Sequence, residues 1–358
     1  MIRVTSVGRL ILIILIVCSP IAFSAAGGTG LSTAIAVDSV GTFKVVKDSK
    51  ASDSFDIREA EISMYAPIDH LFDGVLSMAA HKEAGGFIFE LHEATIGSTK
   101  LIPRTSFRVG KYFLGIGRLN RFHRHDWPFV SAPKVFSEFF GTEGVLDSGG
   151  EVSYLLPTPF FLNVNAGVTN GWVYGHSHDK GKKPKSPTHY ARVSTFFESS
   201  YDMGVYIGGN YLGRTSADGT KMQLLGLDGV AKWSSKGFNE LMIQGEAWQR
   251  SLKPEKGDKE ISIGAYLYPQ MGFSKNIYAG FRFDYFSLLS LKDAIGKKIK
   301  NSEYALVPTI TYKSSEFATF KLGYTYSVST QENKSDEINK YIEVQSTFIL
   351  GAHPAHDF

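Results

Sequence analysis

The chain has 358 residues, of which 43% are hydrophobic, 20% charged and 13% aromatic, with 36 glycines and a formal net charge of +3. That small net charge gives no electrostatic footprint for nucleic acid, and the chain is richer in rings and glycine and poorer in charge than a typical soluble protein. The single cysteine, Cys18, lies in the N-terminal apolar stretch, so a chain cleaved after that stretch carries no disulfide, thiol nucleophile or zinc–thiolate site.

Arg3 and Arg9 open a run that is unbroken apolar from Leu10 to Val17 and is followed by the small residues Ala22, Ser24, Ala25 and Ala26. This order is that of a secretory signal peptide, residues 1–26, and the apolar run is well short of the roughly 20 residues a membrane helix needs. Residues 27–40 are expected as a periplasmic N-terminal segment and 41–358 as one β-barrel.

From there the dominant pattern has period two. In 239-NELMIQGEAWQR, Leu241, Ile243 and Ala247 share one face, and Glu240, Gln244 and Glu246 the other. The segments 317-FATFKLGYTYSV and 340-KYIEVQSTFIL alternate in the same way. Such runs of about ten residues have the length of strands that cross a bilayer at a tilt. They are expected near 41–47, 55–65, 70–81, 85–96 and 105–114. After a long connection they resume near 147–156, 159–170, 189–199, 202–213, 221–233, 239–250, 259–270, 275–287, 302–313, 317–328 and 340–350. From 147 onward, short connections (157–158, 199–202, 234–239, 314–316) alternate with longer, more charged ones (171–188, 252–258, 289–301, 330–339). Tight turns at one end and long loops at the other mark outer-membrane barrels. The expected fold is therefore all-β: a transmembrane antiparallel β-barrel of about 16 strands, with 14 as the fallback and no plug domain.

With apolar faces toward lipid, the opposite positions line the interior. These are the acidic Glu59, Glu61, Asp73, Glu151, Glu198, Asp228, Glu240, Glu246, Asp284 and Glu343, and the basic Lys111, Arg192, Lys232, Arg282 and Lys321. The acids outnumber the bases, a modest bias toward cations if they line a water-filled passage; cross-strand pairing would instead make them braces of the wall. The longest connection, 115–146, holds 117-GRLNRFHRHDWPFV and then Phe136, Phe139 and Phe140. Its rings can anchor it to the barrel wall, so it is expected to fold inward and narrow the pore. That would place Asn120, Arg121, His123, Arg124, His125, Asp126 and Trp127 at the constriction.

The stretch GRLNRFHRHDWPFVSAPKVF, the Glu-Gly at 143–144 ahead of a strand, Leu-Pro-Thr-Pro at 156–159, 227-LDGVAKW, 241-LMIQGEAW and the ending GAHPAHDF resemble a group of bacterial outer-membrane porin-like proteins. These carry the label zinc-regulated TonB-dependent outer membrane receptor and are similar to phosphate-selective porins. The resemblance implies a barrel of the porin kind. It does not bring energy-coupled transport, because the chain has no room for a plug and a larger barrel. Nor do the interior positions show the lysine-rich lumen on which phosphate selectivity rests.

His123 and His125 are the candidate metal ligands: on an extended segment residues i and i+2 share a side, and Asp126 or Glu151 could supply a third ligand. His176 and His178 repeat the spacing in another loop, and His353 and His356 lie near the C-terminus. Local repulsion by Arg121 and Arg124 favours zinc as a transported or loosely bound ion over a tightly held cofactor. The function read from the sequence is an outer-membrane porin or channel for small ions or solutes, divalent cations among them, in contact with lipid and lipopolysaccharide and free to form a homo-oligomer. The alternatives are a structural or adhesin barrel and, with His125–Asp126 as acid–base machinery, a barrel hydrolase.

Overall fold

The period-two segments form strands in a computed structural model that describes residues 30–351 apart from 46–52, 84–85, 172–181, 201, 236, 291–295, 297, 298, 300 and 333. The expected signal peptide, His176, His178, His353 and His356 lie outside the described residues. Sixteen strands follow one another: β1 (Ser32–Lys44), β2 (Ser54–Pro67), β3 (Asp73–Glu83), β4 (Gly86–Ser98), β5 (Thr105–Phe113), β6 (Leu146–Leu155), β7 (Phe161–Thr169) and β8 (Ser186–Ser200) make one half. The other half is β9 (Met203–Thr215), β10 (Lys221–Ser235), β11 (Phe238–Lys253), β12 (Glu260–Gly272), β13 (Ile277–Leu288), β14 (Asn301–Ser315), β15 (Ala318–Gln331) and β16 (Glu337–Gly351). Each pairs antiparallel with its sequence neighbours, and β1 pairs with β16 from Ala34↔Gly351 to Lys44↔Tyr341 to close the barrel.

The first strand corrects the sequence reading. It starts at Ser32, where a periplasmic segment was expected up to residue 40. Its inward positions are Ala34, Ala36 and Asp38, small or charged residues with too little hydrophobic contrast to show as alternation. Asp38 fastens the closing seam from inside: it pairs with Arg58 at 2.5 Å and accepts hydrogen bonds from Gln345 Nε2 (2.8 Å) and Thr347 Oγ1 (3.0 Å).

Outward positions are apolar and exposed, among them Leu225, Leu227, Ile243, Leu267, Phe283, Ile310, Leu322 and Val344. At the end with the tight turns, Tyr154, Phe160, Phe197, Trp233, Phe273, Tyr312 and Phe317 add exposed rings. An apolar band with an aromatic girdle is stable against hydrocarbon and its interface rather than against water. Among the described residues no helix is long and apolar enough to cross a membrane; the strands do the crossing.

Candidate functional site

The connection from β5 to β6, residues 114–145, does not leave the barrel. The ladder of its flanking strands continues one step, Leu114 N donating to Val145 O at 3.1 Å, and the chain then turns into the lumen. Asn120 holds the two ends of the segment together: its Nδ2 donates to Leu114 O (2.9 Å) and Val145 O (3.1 Å), and its Oδ1 accepts from Val145 N (2.6 Å). A Cβ on Gly144, whose φ is +104°, would lie 2.6 Å from Asn120 Oδ1, so this clasp needs glycine there. Two single 3₁₀ turns follow, Leu119–Arg121 and Arg124–Asp126, then a short helix α1 (Lys134–Phe140) that ends at Gly141.

The loop carries its own apolar face. Trp127, Phe129, Val135, Phe136, Phe139 and Phe140 are buried in a cluster with Leu212, Leu224, Trp248, Tyr266, Tyr268 and Phe286 of the wall. Edge-on ring contacts fix its register: Phe140–Trp248 at 4.8 Å, Phe129–Tyr268 at 5.2 Å and Phe139–Phe286 at 5.8 Å between centroids. Helix α1 packs on β12 and β13, where a Cβ on Gly264 would come within 2.7 Å of Val135. Truncating a buried ring in such a cluster costs about 3–5 kcal/mol, so several together make a stable dock.

Polar groups of the wall then satisfy the loop's backbone. Lys321 Nζ donates to Trp127 O (2.6 Å), Tyr268 OH to Pro128 O (3.1 Å), Arg58 Nη1 to Val130 O (2.8 Å) and Arg282 Nη1 to Ser131 O (2.5 Å). Glu246 Oε1 accepts from Leu119 N (2.8 Å), Asn210 Oδ1 from Gly117 N (2.8 Å) and Glu151 Oε2 from Gly115 N (3.0 Å). Several of the inward charges, read from sequence either as lining a water-filled passage or as braces of the wall, sit as braces here. Glu246, Arg282 and Lys321 are buried in contact with the loop, and Arg282 also pairs with Asp284 at 2.9 Å. Asp228 is buried with Arg192 at 2.6 Å, and Glu343 is buried in the wall. Lys111 pairs with Glu90 at 3.3 Å, and Asp73 and Glu198 are exposed at strand ends. The loop arrives with many backbone groups to satisfy and a strand wall meets them with side chains; alternation shows which residues face inward but not what meets them there.

Water-accessible space remains beside the loop. At the tight-turn end two adjoining cavities of about 680 and 430 Å³ share Glu93, Arg108, Arg121, His123 and Glu151 in their lining; Arg192 and Tyr206 border the larger and Glu61 the smaller. A third, of about 570 Å³, is lined by His125, Asp126, Trp127, Lys232, Lys313 and Lys321. On the long-loop side of α1 a cavity of about 560 Å³ is lined by Lys134, Glu138, Arg250 and Glu303.

The two loop histidines reach different partners. His123 Nδ1 lies 2.7 Å from Glu61 Oε2 and its Nε2 lies 3.3 Å from Glu93 Oε2. His125 Nδ1 lies 3.6 Å from Glu59 Oε1 and its Nε2 lies 3.5 Å from Asp126 Oδ2. The 3₁₀ turn between them replaces the extended segment that the spacing suggested, and the rings stack at 5.7 Å with separate acids at their edges. Glu151 is engaged with Arg108 (2.9 Å) and Gly115 N. Burial alone would lower the His123 pKa, but Glu61 and Glu93 outweigh it and hold it well above the ordinary value. For His125, burial is likewise outweighed by Asp126 and Glu59, and the pKa stands at about 9. Arg124, buried beside them and near Arg58, is pushed down to about 10.

Two histidines that the alternation did not single out complete this corner. His81 on β3 and His92 on β4 are buried, with their Nε2 atoms 2.7 Å apart. The ladder slips between Ser77↔Glu93 and Met78↔Leu91, so His92 is the extra residue of a β-bulge and points inward together with its neighbour Glu93. Arg58 enters the lumen by the same device, opposite the slip between Asp38 and Ser39.

The fold is similar to that of outer-membrane proteins of known structure. It matches the outer-membrane expressed OmpT of Vibrio cholerae with a TM-score of 0.61 at 10% identity, covering 90% of this chain and 99% of that one. It matches an anion-selective porin from Comamonas acidovorans (TM-score 0.62, 10% identity, 89% and 99% covered) and the outer membrane channel DcaP of Acinetobacter baumannii (0.60, 8%, 89% and 96%). A trimer form of the Vibrio protein is similar to the same degree, with a TM-score of 0.60 at 10% identity over 89% of this chain and 99% of that one. In sequence the chain is 28% identical over 335 residues to an uncharacterized protein of Aquifex aeolicus (strain VF5), covering 85% of this chain and 70% of that one. No protein-family model matches it. At these identities the solved structures define the fold, a sixteen-stranded barrel of the porin type. The zinc-regulated TonB-dependent receptor label has no counterpart among them.

Proposed function

We propose that the protein is an outer-membrane diffusion channel for small ions and solutes, with its passage running beside the docked loop rather than through the centre of the barrel. The observation that carries this reading is the division of the lumen. The loop's rings occupy the side of β9–β13, while the side of β2–β9 keeps adjoining polar cavities of about 680 and 430 Å³. Sixteen strands enclose more cross-section than side chains alone can fill. Arg108 and Arg192 in this lining are each matched by a carboxylate, Glu151 and Asp228, which supports weak rather than strong ion selectivity. The reading is non-catalytic: Glu151, Asp228, Glu246, Arg282 and Lys321 hold the loop or one another.

Purified protein in planar bilayers is expected to give discrete, ohmic conductance steps, with a small reversal potential in a salt gradient. Current no greater than the leak of protein-free bilayers, from preparations whose far-ultraviolet circular dichroism shows the folded barrel, would contradict a channel. Zinc enters this reading as one cation among those that pass.

A further inference from the structure

We infer that Glu59, Glu61, His92 and His123 form a binding site for one divalent transition-metal ion of zinc-like chemistry, joining the inner loop to the barrel wall. One donor atom from each of these four lies within 4.8 Å of all the others. Around a tetrahedral ion with bonds of about 2.0–2.2 Å, nitrogen and oxygen ligands sit about 3.4 Å apart. Glu61 Oε2 is already 3.3 Å from His92 Nδ1 and 2.7 Å from His123 Nδ1, so an ion entering between them displaces the proton of His123 Nδ1 to solvent and requires shifts of side chains.

Each ligand reaches this point for a separate structural reason. Glu59 and Glu61 are i and i+2 on β2 and therefore share its inner face. His92 is turned in by the bulge of β4. His123 is delivered by the loop, between its two 3₁₀ turns. Behind them, His81 Nε2 lies 2.7 Å from His92 Nε2. With the shared proton on His92 Nε2, the Nδ1 of the same ring presents its lone pair toward Glu61, the orienting arrangement that metal-bound histidines commonly have. Glu59 Oε1 is buried, 3.6 Å from His125 Nδ1.

Two imidazoles with carboxylates suit zinc and its first-row neighbours. Calcium and magnesium prefer oxygen-only shells of six or more ligands. Glu61 and His123 both line the 430 Å³ cavity, which gives an ion a way in. The pair His123 and His125 suggested by sequence is replaced: His125 does not belong to this donor set. The site does not depend on conduction, and its test does not measure current.

The experiment is a titration of the full chain, folded in detergent, with Co²⁺ as an optical probe and Zn²⁺ as competitor. One Co²⁺ per chain is expected, with visible absorption of a nitrogen–oxygen site that Zn²⁺ abolishes. His92→Gln and His123→Gln should each weaken binding at least tenfold, while His189→Gln, exposed on β8, should leave it unchanged. Absence of saturable binding to the folded wild type, or equal binding by His92→Gln and His123→Gln, overturns the site. Amide hydrogen exchange on the wild type gives an answer that does not depend on how the variants fold. Zn²⁺ should slow exchange in residues 118–126, and unchanged exchange at saturating Zn²⁺ equally overturns it.

Discussion

Replacing residues 116–143 by a four-residue Gly–Ser linker is expected to raise the single-channel conductance several-fold. The ends of the excised segment are already adjacent, because Leu114 N donates to Val145 O, so a short linker closes the gap without disturbing β5 or β6. What is removed is the ring cluster and the backbone that now occupy the side of β9–β13, and a sixteen-stranded barrel without such filling encloses an aqueous channel. The barrel itself should persist, since its sixteen ladders close through β1 and β16 independently of the loop. The shortened protein should unfold at a lower temperature, because it loses buried apolar surface and leaves groups such as Lys321, Arg282 and Glu246 without the loop backbone they now contact. Planar-bilayer recordings of the two proteins decide the matter: equal unit conductance would mean that the loop does not limit the passage.

Asn120→Leu is expected to release the loop without removing it. The amide side chain makes three hydrogen bonds across the base of the loop, and after its loss the buried N–H of Val145 has no acceptor. Leaving one such group unsatisfied costs about 1–3 kcal/mol, and losing two donations to carbonyls adds about 1 kcal/mol each. Asn120→Asp tests the same clasp by charge. It keeps the acceptor for Val145 N but sets a carboxylate against Leu114 O and Val145 O, so it should loosen the loop as well. Amide exchange across residues 118–143 should accelerate in both variants while the strands stay protected, and bilayer currents should become noisier. Exchange as slow as in the wild type would show that the rings alone hold the loop.

How much of this was legible beforehand depends on the kind of residue. Strands β8 to β16 alternate bulky apolar and polar side chains, and their positions follow from that alone. Strand β1 does not, because Ala34, Ala36 and Asp38 on its inner face and Ser39 and Thr42 beside them give little contrast to read. The inner loop is marked by the absence of alternation and by its rings. Its consequence for the wall is not marked: Lys321 and Glu246 occupy inward positions whether they meet water or the loop's backbone. The metal ligands fall between the two. Glu59 and Glu61 obey the period of two, but His92 reaches the lumen only because a bulge breaks that period, and a single sequence gives no sign of where a ladder slips. His123 and His125 were read as a pair on an extended segment, and the intervening 3₁₀ turn sends their nitrogens to different acids.

The ring cluster inside the barrel also shapes how the protein responds to temperature. Apolar side chains on the outer face meet hydrocarbon or detergent, so they need not exchange that contact for water as the fold loosens, and they add little to the heat capacity of unfolding. Trp127, Phe129, Phe136, Phe139, Phe140 and the wall residues around them become hydrated when the lumen opens, and hydration of apolar surface raises the heat capacity. The stability curve of this barrel should therefore be curved like that of a water-soluble domain, weakening on cooling as well as on heating, and the loop that fills the lumen should be the source of that curvature.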